Sequence, residues 1–228
     1  MAIIKKYRAR IVSIKSDISD VYIMDFVSLG KSFQYSSGQF LHLAIDEEYD
    51  GIGQWPDSRC FSMQSSPEED FIRITYAVKG NFTRTMVEKL KIDSEVWLKL
   101  PYGNLFQQPH NKEKTVFIAG GTGITPFLSL FKHVSFNQYV NPAIYLGFRS
   151  INFNLYEEEL NQITNTSKKV TYFYQDKDGS IDIQTILAQN SVGSSFFISG
   201  PPAMIKSFKD FLLTNGVPPS NVLTDEWE

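Results

Sequence analysis

The stretch Val116-Phe117-Ile118-Ala119-Gly120-Gly121-Thr122-Gly123-Ile124-Thr125-Pro126 constrains this chain more than any other. An apolar run closes on glycines and resumes with Ile124, Phe127, Leu128, Leu130 and Phe131 at helical spacing, which predicts a buried strand, a tight turn and a helix. Glycines at 120, 121 and 123 permit a sharp turn and close approach of another group to the backbone. Pro126 suits a first helical turn, where its missing N–H costs no bond. The helix start then offers free amides and partial positive charge, a setting that favours a phosphate. Gly121-x-Gly123 supplies the first two glycines of a dinucleotide fingerprint, with Pro126 where the third would stand. The same residues also fit a turn that packs a helix on a sheet and holds no ligand.

Length leaves both one and two domains open, since 228 residues suffice for either. A 42% hydrophobic and 14% aromatic content argues for well-filled cores. The net charge of -3 lacks the basic surplus that backbone binding to nucleic acid needs. No apolar run approaches the ~18 residues of a membrane span, and the N-terminus, with Lys5, Lys6, Arg8 and Arg10, lacks a signal-peptide core, so the expectation is cytoplasmic. Cys60 is the only cysteine, which rules out an intrachain disulfide and a self-contained cysteine-ligated cluster. His42, His110 and His133 are scattered without metal-ligand spacing, so no metal site is expected.

From Ile3 to Gly103 the pattern alternates. Residues 3–15, 21–29, 39–46, 59–64, 71–79 and 95–100 read as strands, separated by turns such as Ser36-Ser37-Gly38, and one helix starts at Phe82. Short strands with frequent turns predict a closed antiparallel barrel over residues 1–105. A polar linker is expected at 104–114. Over 114–228 strands and helices alternate: strands at 115–120, 143–148, 169–175, 194–199 and 221–227, helices at 124–136, 154–165, 181–189 and 202–215. That rhythm predicts an α/β domain with a doubly wound parallel sheet covered on both faces.

Three further stretches bear on chemistry. In Ser58-Arg59-Cys60-Phe61-Ser62-Met63, strand alternation puts Arg59, Phe61 and Met63 on one side and Cys60 and Ser62 on the other. An arginine fork, an aromatic face and a hydroxyl suit a nucleotide with a flat polar ring, although an ordinary strand carries the same residues. Tyr76-Ala77-Val78-Lys79-Gly80-Asn81-Phe82-Thr83 leads from a strand into a helix start that can hold a pyrophosphate, or can simply be capped by Asn81 or Thr83. Ser199-Gly200-Pro201-Pro202-Ala203-Met204 is another strand-to-helix turn, placed at the carboxyl edge of the predicted sheet.

Taken in order, these pieces resemble the ferredoxin-NADP reductase-like superfamily, a Greek-key flavin-binding barrel followed by a nicotinamide-nucleotide domain. Arg59-Cys60-Phe61-Ser62 is similar to its Arg-x-Tyr-Ser motif, Gly80-Asn81-Phe82-Thr83 to its Gly-x-x-Ser/Thr, and Pro101-Tyr102-Gly103 to its barrel-closing corner. The 120–126 loop, Gly147-Phe148-Arg149 and the 199–204 turn complete the likeness over nearly the whole chain. The resemblance implies FAD as cofactor and NAD(P)H as substrate. It implies that Arg59, Thr83 and the amides around Phe82 hold the flavin pyrophosphate, with Cys60, Tyr76, Val78, Gly80 and Asn81 in the same site. Phe61 would pack on the flavin and Ser62 hydrogen-bond near its N5. Gly121, Thr122, Gly123, Ile124, Thr125 and Arg149 would seat the nicotinamide nucleotide, and Ser199, Gly200, Pro201 and Met204 would guide its ring.

Departures from the family pattern qualify these roles. Phe61 lacks the usual tyrosine hydroxyl, Ser199 replaces a cysteine frequent in relatives, and the chain closes on Asp225-Glu226-Trp227-Glu228, where Trp227 would cover the flavin. The implied activity is hydride transfer from NAD(P)H to FAD and onward delivery to a ferredoxin-like protein, an oxygenase component or a small-molecule acceptor, by a stand-alone reductase without an iron-sulfur module. Two alternatives remain: a free-flavin reductase, and a non-catalytic flavin-bearing or regulatory subunit of a larger redox complex. Arg149 tilts nucleotide choice slightly toward NADPH without deciding it.

Overall fold

The computed structural model describes residues 3–164 and 170–225. The chain divides into two compact units, one running to Asn104 and including Thr125–His133, the other comprising Leu105–Ile124 and the chain from Val134 onward.

The first unit contains β1 (Lys5–Ile18), β2 (Val21–Ser28), β3 (Phe40–Ala44), β4 (Ser58–Ser62), β5 (Phe71–Ala77), helix α1 (Asn81–Lys89) and β6 (Glu95–Tyr102). Its strands form an antiparallel sheet in the order β4-β3-β6-β1-β2-β5, the barrel-like sheet expected. Alternation is the reason: in β1, Tyr7, Ala9 and Ile11 are buried while Lys6, Arg8 and Arg10 face outward. Leu41, Leu43, Ile72, Ile74 and Leu98 fill the core and are fully buried. The sheet curls so that the segments after β4 and within β5 meet, the Gln64 N–H donating to the Arg73 carbonyl at 2.8 Å. Asp25 and Arg73 lie opposite each other on β2 and β5 and form a two-pronged ion pair at 2.7 and 2.8 Å.

Helix α2 (Thr125–Lys132) belongs to this unit as well. It is shorter than the helix expected over 124–136, because the chain tightens where the His133 N–H bonds three residues back to Leu130, and a 3-10 turn takes over at Val134–Gln138.

The second unit carries β7 (Thr115–Gly120), β8 (Ala143–Phe148), α3 (Glu157–Thr164), β9 (Val170–Tyr174), α4 (Gln175–Asp178), α5 (Ile183–Gln189), β10 (Ser195–Ser199), α6 (Pro202–Thr214) and β11 (Val222–Thr224). All five strands are parallel, in the order β11-β10-β7-β8-β9. On one face Val116, Ile118, Phe196 and Ile198 pack with Ile183 and Ile186 of α5 and with Ile205, Phe208 and Leu212 of α6. On the other, Phe117 stacks on Phe197 with centroids 5.4 Å apart, beside Phe106, Phe136 and Tyr139. Residues 105–111, read as linker, supply part of that cover, and the Asn111 N–H donates to the Ser195 hydroxyl at 2.9 Å. The chain runs from β7 out to β9 and returns to β10 on the opposite side of β7. Strand order therefore reverses between β7 and β10, the place where open α/β sheets bind ligands.

Candidate functional site

Two glycine-bearing loops leave the sheet at that reversal, after β7 and after β10. Ala119 and Ser199 are paired across the last rung, so the loops start side by side. Gly123 touches the other loop directly: a Cβ built there would lie 2.4 Å from the Gly200 Cα and 2.7 Å from the Ser199 carbonyl carbon. Met204 and Pro201 fill the space above Gly120, whose added Cβ would meet them at 2.9 and 3.1 Å. Gly121 differs from these, with a φ of +55° and no atom within 4 Å of its Cβ position. The loop is therefore closed on its sheet side and open at Gly121. The turn Gly121–Ile124 is 3-10 rather than α-helical and carries no acidic residue. Thr122 is half-buried, and Ile124 and Thr125 are buried.

Ser199 is buried, and its hydroxyl donates to the Asp225 carboxylate at 3.1 Å, a bond that no sequence pattern announced. Arg149 follows β8, is exposed, and lies over the Phe153 ring at 5.8 Å. Gly147, just before it, leaves room for Ile181. Trp227 lies outside the described residues.

In the first unit, Arg59 on β4 sits with its guanidinium 5.2 Å above the ring of Phe82, in the first turn of α1. This brings two separately predicted motifs together. Gly80 caps the helix, has open space where a side chain would be, and is followed by a first turn without an acidic residue. The Thr83 hydroxyl turns back on this cap: it accepts from the Lys79 and Gly80 N–H groups and donates to the Gly80 carbonyl. Asn81 accepts from Arg84. A guanidinium beside a helix N-terminus whose N-cap offers no side-chain hydrogen bond is a donor set that fits a pyrophosphate. Asp57 holds Arg59 at 2.7 Å on the exposed surface, a pair that solvent weakens and an incoming anion can displace.

Phe61 and Ser62 are buried, and Phe61 meets the Tyr76 ring edge-on at 5.8 Å. Tyr76 in turn stacks on Tyr22 at 5.5 Å, and its hydroxyl is buried without a hydrogen-bond partner. Val78 is half-buried beside them. Cys60 faces the other way, its Sγ 3.5 Å from the His42 Nε2. Burial pushes its thiol up, and burial with the Lys99 charge holds His42 below the usual histidine range, so this is not an ion pair of the activated-thiolate kind. Among the described residues no cluster of three or more His, Cys, Asp or Glu side chains is placed to hold a metal, and no helix is long and apolar enough to cross a membrane.

The family model of the oxidoreductase NAD-binding domain matches residues 117–210. The chain is 24% identical over 248 residues to the reductase component of propane 2-monooxygenase from Mycolicibacterium goodii, covering 98% of this chain and 68% of that one. It spans 64% or less of the next four curated relatives. In fold it is similar to the Amycolatopsis cytochrome P450 reductase GcoB, with TM-score 0.82, 14% identity and coverage of 98% and 70% of the two chains. A ferredoxin NADP+ reductase from Neisseria gonorrhoeae, solved with bound FAD and NADP, superposes with TM-score 0.77 at 20% identity over 93% of this chain and 92% of that one. A barrel-like antiparallel sheet and a parallel-sheet NAD-binding domain on one chain make up a two-domain fold like that of these solved structures. In fold the chain is similar to the ferredoxin-NADP reductase-like proteins.

Proposed function

We propose that this chain is a flavin-dependent oxidoreductase that takes hydride from NAD(P)H and passes electrons to an oxygenase component, a ferredoxin-like protein or a small-molecule acceptor. The observation that carries the reading is that each unit has its own anion cradle: Arg59 with the N-terminus of α1 in the first, the open Gly121–Ile124 turn in the second. Further support comes from its relatives, which are named as reductase components. In this reading residues 1–105 hold FAD and residues 114–228 hold NAD(P)H.

Bound flavin supplies a hydride acceptor that can release electrons one or two at a time. The protein's part is binding and orientation. Arg59 and the α1 amides hold the flavin pyrophosphate, with Thr83 stiffening the cap. Phe61, Tyr76 and Val78 form an apolar wall for the ring, and the Ser62 hydroxyl offers it a hydrogen bond. Amides of Gly121–Ile124 hold the nucleotide diphosphate. Ser199, fixed by Asp225, and Gly200, Pro201 and Met204 bound the nicotinamide end, while Arg149 faces the ribose end. Trp227 is assigned the stacking role. A single cysteine, and so no intrachain disulfide, supports a cytoplasmic setting.

Anaerobic titration of the flavin spectrum with NADH and NADPH side by side tests this. Bleaching at stoichiometric nucleotide is expected. A purified chain that takes up no FAD, or whose FAD is not bleached by either nucleotide, refutes it.

A further inference from the structure

We infer that Ser65, with Tyr35 and Ser129, is a positioning clamp that fixes the end of the Arg59–Ser62 strand and so sets the place of the Ser62 hydroxyl. The inference rests on the flavin reading above for its consequence, and on the first unit's hydrogen bonds for its existence.

The three residues after Ser62 are each tied to a different part of the unit. The Met63 N–H donates to the Gln39 carbonyl at 3.1 Å, and the Gln64 N–H to the Arg73 carbonyl at 2.8 Å. The Gln64 side chain, fully buried, accepts from the Thr75 hydroxyl at 2.6 Å. Ser65 is the hub. Its hydroxyl accepts the Arg73 N–H at 3.0 Å and lies 2.9 Å from the Tyr35 hydroxyl, which is in turn 2.9 Å from the Ser66 carbonyl. Its carbonyl accepts the Ser129 hydroxyl at 2.7 Å, and the Ser129 carbonyl accepts the Ser37 hydroxyl at 3.0 Å.

Proton counting makes the array directional. The Arg73 N–H takes one lone pair of the Ser65 Oγ, and the Tyr35 hydroxyl has the Ser66 and Ser65 carbonyls at 2.9 and 3.1 Å to receive its proton, which leaves the Tyr35 oxygen as the acceptor for the Ser65 hydroxyl. Ser65 and Ser129 are both fully buried, so neither hydroxyl can turn to water instead. Aligned buried bonds of this kind reinforce one another and resist sliding of the strand end. None of the three anchors lies in the Arg-x-Phe-Ser motif, and each comes from a distinct segment: the turn before β3, the loop after β4, and α2.

The test compares Ser129→Ala, Tyr35→Phe, their double variant and the conservative Ser129→Thr. Hydrogen exchange at the amides of residues 60–66 is read in the flavin-free chain, and the FAD dissociation constant by fluorescence quenching. Losing one buried bond is expected to raise exchange and weaken FAD roughly tenfold in either single variant. The double variant should lose less than the product of the two, KM for NAD(P)H should change less than twofold while kcat falls, and Ser129→Thr should restore most of the loss. Unchanged exchange at 60–66 in both single variants, or multiplicative losses with no rescue by threonine, overturns the clamp even if thermal stability drops. A wild-type chain that binds no FAD while exchange still responds refutes the flavin reading and leaves the clamp standing.

Discussion

Gly123→Ala probes the proposed nicotinamide site at the contact between two loops of the second unit. The added methyl carbon would stand 2.4 Å from the Gly200 Cα and 2.5 Å from its nitrogen, both backbone atoms with no rotamer to yield. Carbon atoms rest at about 3.5–4.0 Å, so the two loops must part by roughly 1 Å or more. Overpacking of this order costs about 1–3 kcal/mol. A displacement near 1 Å at groups that orient a reactant costs on the order of 100-fold in turnover. Gly121→Ala is the comparator: its methyl meets nothing within 4 Å, and its φ of +55° is a left-handed conformation that alanine adopts at a cost of about 1–2 kcal/mol. That methyl instead enters the open space assigned to the diphosphate. Steady-state reduction of ferricyanide with NADH and NADPH, alongside FAD-to-protein ratio and melting temperature, separates the cases. For Gly123→Ala we expect turnover to fall about 100-fold with FAD content unchanged. For Gly121→Ala, KM should rise while kcat holds. A Gly123→Ala chain with wild-type kcat and KM would show that the contact between the loops does not shape the site.

Arg59→Ala should weaken FAD about 10–100-fold, since charge-assisted bonds to a phosphate are worth about 1.5–3 kcal/mol and Asp57 is left unpaired nearby; an unchanged dissociation constant would remove Arg59 from the cradle. Asp25→Ala removes the two-pronged partner of the Arg73 guanidinium, and because the pair is partly solvent-accessible the loss should be about 2–3 kcal/mol, below the range for a fully buried pair, read as a lower urea midpoint with unchanged slope. Arg149→Ala should raise KM for NADPH about tenfold or more through loss of a cation for the 2'-phosphate, and leave NADH within twofold; equal effects on both would deny that role. His42 and His110 are both held below the usual histidine range, burial being the first cause in each. Their folded forms take up a proton less readily than the unfolded chain, so stability should be full above about pH 6.5 and decline as pH falls through that value. Thermal melts across pH 8 to 5 check it, and a His110→Gln chain should show a shallower decline.

Alternation in β1 and the strand-then-helix rhythm after residue 114 are local signals, and both unit types could be read from them because each repeats with a period that backbone geometry fixes. The glycine loop was legible for the same reason, glycine being the residue that a tight turn demands. What stayed hidden has a common cause. The Gly123 to Gly200 contact joins residues 77 positions apart, and only the pairing of β7 with β10 brings them together. Ser199 showed in sequence as a departure from the family's cysteine, but its bond to Asp225 gives the hydroxyl a partner that the substitution alone did not suggest. Residues 105–111 looked like linker because they are polar, yet His110 is fully used. Its Nδ1–H donates to the Gln108 carbonyl at 2.7 Å, and in the neutral form that burial favours its Nε2 accepts from the Tyr139 hydroxyl at 2.7 Å. Serine at 37, 65 and 129 carries no periodicity and no charge, so nothing in composition or spacing separates a surface hydroxyl from one that is buried and hydrogen-bonded. The Arg59–Ser62 motif names the groups that would meet a flavin; their placement depends on residues such as Ser129, whose contribution appears only when hydrogen bonds are counted proton by proton.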